Sequence, residues 1–342
     1  MKYSGIGGQA VIEGVMMKNL EKYAVAVRKP DGEIDVQVKN TKPLFANEKL
    51  RKIPIVRGVV SFLDSLVTGM ETLEHSASFF EDEDKDADKK PKTETEKKKS
   101  ERKEKATMAG TLILSLILAL GIFFFLPYGL SLLLYKLTDN YMIIAAAEGI
   151  LRFVIFILYV WLISYMEDIK RTYMYHGAEH KCINCIEAGR PLDIANVRIS
   201  SRFHKRCGTS FLLFVVIISI ICFMFIRVDN RLYQLLLRLV LIPVIAGISY
   251  EFIRFAGRGD NIFVKIVSAP GMWLQRLTTK EPTDDMIEVG IASVEAVFDW
   301  RKYLKDEYNV VVPVVNNMKT SCVKANLGEL NLDQVNSYED IG

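Results

Sequence analysis

Four long apolar runs decide what this chain can become. They extend from Met108 to Tyr135, from Tyr141 to Tyr165, from Thr209 to Ile226 and from Tyr233 to Phe255. A helix needs about 20 mostly apolar residues to cross a bilayer, and each run is about long enough. Four buried helices of this length would be rare in a soluble chain. The runs therefore predict an α-helical polytopic membrane protein with about four transmembrane helices. The first run exceeds what a bilayer needs and carries Pro127 and Gly129, which predicts a tilt or break there.

Composition fits that reading. Half of the 342 residues are hydrophobic while a quarter are charged, so apolar and polar blocks must be segregated. The 44 basic and 41 acidic residues leave a net charge of +3, which gives no preference for nucleic acid. The expected partner is the lipid bilayer. Five cysteines, unevenly placed, are too few for a secreted disulfide framework. Residues 1–56 are mixed and polar, with no visible signal peptide.

The loops give the orientation. Lys170, Arg171, Lys181, Arg190, Arg198, Arg202, Lys205 and Arg206 crowd between the second and third runs, whereas the other two loops are short and carry few basic residues. This excess places the 166–208 loop and both termini of the multi-pass chain in the cytoplasm.

Outside the runs the periodicity changes along the chain. Gly5 to Met17 brackets short apolar stretches with glycines, which suggests strands and tight turns. Tyr23 to Lys29 and Glu33 to Lys39 alternate around Pro30-Asp31-Gly32, a β-hairpin signal. From Arg57, Val59, Phe62, Leu63, Leu66, Val67, Met70 and Leu73 mark an amphipathic helix. Residues 1–80 thus read as a small β-containing cytosolic module with that helix. Residues 81–106 are almost wholly charged or polar and read as a disordered linker. Residues 107–256 form the membrane domain with its histidine-rich 166–208 loop or helix. The remainder, 257–342, is cytosolic: an interfacial stretch anchored by Trp273, a helical pattern over 284–305 and a loose tail.

The chemistry concentrates at Tyr173-Met174-Tyr175-His176-Gly177-Ala178-Glu179-His180-Lys181. Positions four apart share a helix face, so His176 and His180 can offer two imidazoles to one ion. Glu179 beside them can act as a general base on a water activated there. The string is H-x-x-E-H, the inverted form of a zinc-protease motif. Two histidines four apart also decorate ordinary polar helices, so a third ligand is required. Glu251, an acid at the edge of the fourth run, is the first candidate; Glu187, on the same helix face, and His204 are the substitutes. Cys207, just before Gly208-Thr209, is a further candidate for contact with the site. Cys182 and Cys185 form a lone C-x-x-C that falls away from the histidine stripe on a continuous helix. Glu148 and Arg152, four apart on the second run, read as a helix-local ion pair.

Several stretches together resemble the YqhQ-like family of bacterial integral membrane proteins. They are GGQAVIEGVMM at 7–17, YHGAEHK at 175–181, RCGTSF at 206–211, SYEFIR at 249–254 and TTKEPTDDMIEV at 278–289. The resemblance implies a polytopic protein of the cytoplasmic membrane, and the family's description as metal-dependent enzymes rests here on His176, Glu179 and His180. The expectation is a protein that binds a divalent transition metal, zinc by its ligands, and acts as a hydrolase at the cytoplasmic membrane face. The alternative is a non-catalytic assembly or scaffold protein whose cytosolic ends dock a protein partner.

Overall fold

The computed structural model describes residues 2–41, 43–44, 48–80, 107, 110–226, 228, 230–256 and 262–313. The charged stretch read as a linker and most of the polar tail lie outside these residues.

The N-terminal segment folds as an antiparallel meander of β1 (Gly7–Val11), β2 (Gly14–Asn19), β3 (Lys22–Arg28) and β4 (Ile34–Asn40), in that order across the sheet. The expected hairpin is β3 with β4, in which Arg28 pairs with Ile34 and Lys22 with Asn40. Its turn needs Gly32, whose φ of 86° is costly for a residue with a Cβ. Alternation along the strands sends Val15, Met17 and Ala26 to one face and Val11, Met16, Val25 and Val27 to the other. Both faces are apolar because both are covered.

The helices follow in chain order: α1 (Glu48–Lys52), α2 (Val56–Ala77), α3 (Gly110–Lys136), α4 (Tyr141–Ile163), α5 (Glu167–Glu187), α6 (Ile194–Arg198), α7 (Gly208–Met224), α8 (Arg231–Ala256), α9 (Ile262–Thr278), α10 (Asp284–Glu295) and α11 (Trp300–Tyr308). Three of them, α3, α4 and most of α8, are long and apolar enough to cross a membrane. The protein is therefore a multi-pass membrane protein in contact with lipid. The third expected span is α7, whose 17 residues fall short of the other three. At 1.5 Å per residue it reaches about 26 Å, against roughly 30 Å of hydrocarbon.

The irregularity expected in the first run lies just before its proline. A π-turn over Gly121–Phe125 precedes Pro127, and the helix tightens to 3-10 geometry over Leu132–Lys136. Pro127 has no N–H to offer the Phe123 carbonyl four residues back. Arg152 Nε donates to that carbonyl instead, at 3.2 Å.

The second run does not continue into the histidine segment as one helix. The chain breaks at residues 164–166, and α5 starts afresh at Glu167. From Tyr175 to Glu187 every residue of α5 is buried. One side meets Ile6, Val15, Met17 and Ala26 of the N-terminal segment; another meets Met286, Ile287, Val289 and Val294 of α10. The single helix expected over 284–305 is two, because Asp299 caps α11 by accepting from the Lys302 N–H at 2.9 Å. Sheet, α5, α10 and α11 thus share one core, and α2 spans from α8 to the far face of the sheet, where Phe79 and Phe80 pack.

The 278–282 segment lies directly on α5. A Cβ placed on Gly177 would stand 2.0 Å from the Lys280 carbonyl oxygen, which is backbone and cannot step aside. Gly129 of α3 has no atom within 4 Å of the same position. Gly177→Ala should therefore destabilise by about 3 kcal/mol, while Gly129→Ala should be nearly neutral. Thermal unfolding of the two variants in detergent checks this; equal midpoints would contradict the packing.

Candidate metal centre

His176, His180, Asn184 and Glu187 are spaced four, four and three along α5, so they share one face. The chain following α6 runs across this face and satisfies it with backbone carbonyls. His180 Nδ1 lies 2.6 Å from the Arg202 carbonyl oxygen. Asn184 Nδ2 donates to the carbonyls of Ser201 at 2.7 Å and Phe203 at 3.0 Å. Lys181 Nζ donates to those of Arg198 at 2.8 Å and Ser200 at 3.0 Å. From the end of α9, the Thr278 carbonyl faces His176 Nδ1 at 2.8 Å. A carbonyl only accepts, so both Nδ1 atoms carry a hydrogen, and Nε2 is the atom each ring has left to offer an ion.

The third donor is Cys207, the residue capping the N-terminus of α7. Its Sγ lies 3.1 Å from His176 Nε2. One ligand atom from each of His176, His180 and Cys207 falls within 4.8 Å of the others, and this group can hold a metal ion. Two imidazole nitrogens and one thiolate would fill three positions of a tetrahedral site and leave one open. Burial pushes the Cys207 thiol up, but the adjacent His176 and His180 outweigh it and hold the thiol well below its ordinary range. Conversely, burial works against a charged His176, yet Cys207 raises it to about 9. The positive end of the α7 dipole also favours a thiolate at this position.

Glu179 sits beside the group, 4% exposed, with Oε2 3.9 Å from His176 Nε2. Burial raises its carboxyl above the usual range, opposed by the two histidines and by the Gly8 N–H that it accepts. The approach of β1 to this carboxylate requires glycine. A Cβ on Gly8 would lie 2.9 Å from Glu179 Cγ and 2.6 Å from the Met16 carbonyl oxygen.

The other expected ligands are placed elsewhere. Glu251, the first candidate, makes a two-pronged ion pair with Arg57 of α2, with Oε1 2.6 Å from Nε. Glu187 accepts from the Ser4 N–H at 3.0 Å, the Ser4 hydroxyl at 2.9 Å and Arg206. Although burial opposes ionisation, His204, Arg206 and Ser4 bring it down to about 2. His204 lies beside His180, ring centroids 5.5 Å apart, and burial lowers its basicity. Its backbone is clamped by Gln275, which accepts from the His204 N–H at 2.8 Å and donates to its carbonyl at 2.7 Å. Cys182 and Cys185 are buried in the core: Gly290 packs against the first, and the second faces the Pro191 carbonyl at 3.3 Å. His75 stands apart, near Asp35.

Cys207, read from sequence only as a contact, thus stands where Glu251 was expected. The available signal was a cysteine directly before an apolar helix. The carbonyls of Arg202 and Thr278 carry no side-chain signature.

Comparison with known proteins agrees with the resemblance seen in the sequence. Residues 53–300 match the family model described as "Protein of unknown function (DUF1385)". A protein of Bacillus subtilis (strain 168), named "Uncharacterized protein YqhQ", is 35% identical over 291 residues, covering 84% of this chain and 90% of that protein. No solved structure matches.

Glu187 gives a pH signature. Its carboxyl is held at about 2 against an ordinary value of 4.5. A depressed carboxyl contributes stability that is present above the unfolded value and lost as pH falls through the folded one. Glu187→Gln should be less stable than the parent near neutrality, by about 3 kcal/mol at most. The gap should narrow from pH 4.5 towards 2. Thermal midpoints of both proteins across that range test it, and a gap that does not change with pH would refute an ionic tie.

Proposed function

The chain belongs to the DUF1385 family, and from the centre it carries we propose that it is a metal-dependent hydrolase working at the cytoplasmic face of the inner membrane. The supporting observation is the convergence of His176, His180 and Cys207, with a buried carboxylate alongside. We assign zinc, because two imidazoles and a thiolate suit a borderline-soft ion without geometric demands. Zinc held there would supply the Lewis acidity that makes water a nucleophile near neutral pH.

The chain's own groups do the rest. The Thr278 and Arg202 carbonyls fix both imidazoles so that Nε2 faces Cys207 rather than solvent. Glu179 takes a proton from the attacking water and returns it to the leaving group. Its raised basicity suits both steps, since the best acid–base groups titrate near the working pH. Glu251 is replaced in this scheme by Cys207, while Glu187 and His204 brace the loop that caps α5.

The reading includes α7 as a short fourth span, with both termini cytoplasmic. The Tyr141 hydroxyl, at the start of α4, donates to the carbonyls of Phe223 (3.0 Å) and Ile226, just at and beyond the far end of α7. That end of α7 is therefore level with the short-loop end of α4. The opposite end begins at Cys207. The basic 166–208 segment then lies on the cytoplasmic side. The described parts of residues 1–80 and 262–313 would form the cytosolic layer that covers the centre.

Burial of His176, Glu179, His180 and Cys207 also favours a second reading, in which the ion is structural and the protein a scaffold for a cytosolic partner. Metal analysis of the purified protein separates these readings in steps. The parent should carry about one zinc per chain, lost in His176→Ala/His180→Ala and sharply reduced in Cys207→Ser, but kept in Glu251→Gln. No metal after chelator-free purification and zinc reloading would sink both readings. Glu179→Gln should keep the metal and fail to complement a strain lacking the protein. Full complementation by that variant would leave the scaffold.

A further inference from the structure

The membrane domain contains a charged cluster that the metal centre does not use. Glu148 of α4 accepts from Arg152, four residues on, at 2.7 Å, and through both oxygens from Arg238 of α8 at 2.8 Å. What the sequence suggests as a local pair is therefore a triad across two helices. Glu148, Arg152 and Arg238 are 3%, 5% and 2% exposed. One carboxylate against two guanidiniums leaves one positive charge in excess. Such a charge, when buried, requires compensation.

Part of that compensation is visible. Arg152 Nε donates to the freed Phe123 carbonyl, and the rings of Phe124 and Phe223 lie 6.0 and 5.1 Å from its guanidinium. Arg238 is flanked by Tyr128 and Phe223. However, Arg238 Nε is buried with no hydrogen-bond partner. Arg238 and Glu148 line a cavity of about 10 Å³ together with Tyr128, Ser131, Tyr141 and Gln234. That is room for one guest of about water size. Glu148 is seven residues from the start of α4 and fifteen from its end, so the cavity lies towards the short-loop end, away from Cys207.

We propose that this cavity binds a single halide-sized monovalent anion, chloride in its natural setting. Arg238 supplies the charge-assisted donor. Gln234 supplies a neutral one, since its amide uses one hydrogen towards the Tyr141 hydroxyl at 3.4 Å and has a second. A single negative charge balances the triad. A water would fill the space without offsetting the charge, and a phosphate-type oxyanion is too large for it.

The test uses the full chain in phosphatidylcholine nanodiscs, with sodium gluconate exchanged for chloride or bromide at constant ionic strength. The thermal midpoint should rise saturably with chloride and with bromide, by ~5 °C once the halide is about 100-fold above its dissociation constant. Arg238→Gln should abolish the rise, and Gln234→Leu should shift half-saturation to higher halide. Glu148→Gln should lower the half-saturating concentration, because it removes the competing carboxylate; a purely structural salt bridge predicts no halide response at all. If Arg238→Gln does not fold, the opposite shifts of the other two variants decide. Equal midpoints in chloride and gluconate would overturn the proposal, as would an unaltered halide response in Glu148→Gln and Gln234→Leu.

Discussion

The hydrogen bonds between one face of α5 and the carbonyls crossing it hold this structure together. Thirteen consecutive residues of that helix are buried, among them two histidines, two glutamates, a lysine and an asparagine. Each would cost several kcal/mol if buried without a partner. The passage from Arg198 to Phe203 supplies carbonyls to Lys181, Asn184 and His180, and Thr278 supplies one to His176. These contacts make a polar helix tolerable inside a core, and they fix the imidazole tautomers as well. Stability and ligand geometry come from the same bonds.

The centre also joins the two halves of the molecule. Cys207 is the first residue before an apolar helix, while the histidines belong to a helix enclosed by the sheet and by α10. An ion bound by all three would pin α7 to the core formed by the sheet, α5 and α10. The second tie is Arg57 with Glu251, where α2 rests on α8 so closely that a Cβ on Gly58 would stand 2.9 Å from the Gly247 carbonyl oxygen.

Local patterns were readable in the sequence; long-range pairings were not. The β3–β4 hairpin, α2 and the apolar helices follow from periodicity, which needs only neighbours along the chain. His176, Glu179 and His180 were visible because a helix makes their spacing a geometric statement. The pairing of Glu251 with Arg57 is not legible, because the two are 194 positions apart and no window contains both. Arg238 escaped for the same reason, although its neighbour in space, Glu148, stood out. The break at residues 164–166 has no proline or glycine to announce it. It frees α5 to turn into the core, and tertiary packing of α5 against the sheet outweighs the local tendency to continue the helix.

The sheet itself has a role that its sequence disguises. As a polar, glycine-punctuated segment it looks like a docking module, yet β1 forms part of the wall around Glu179 and its Gly8 N–H points at that carboxylate. The glycine is there because the backbone, not a side chain, must reach the site. With β1 over Glu179, the loop over His180 and α9 over His176, water is largely excluded from the cluster. Charges inside then interact more strongly than they would in solvent. Burial raises the Glu179 carboxyl above its usual range, while the adjacent histidines hold the Cys207 thiol below its own. On the Glu179 side the N-terminal sheet thus contributes a covering wall and one N–H, beside the larger effects of burial and the two histidines. On the side of Cys207 the two histidines of α5 outweigh burial.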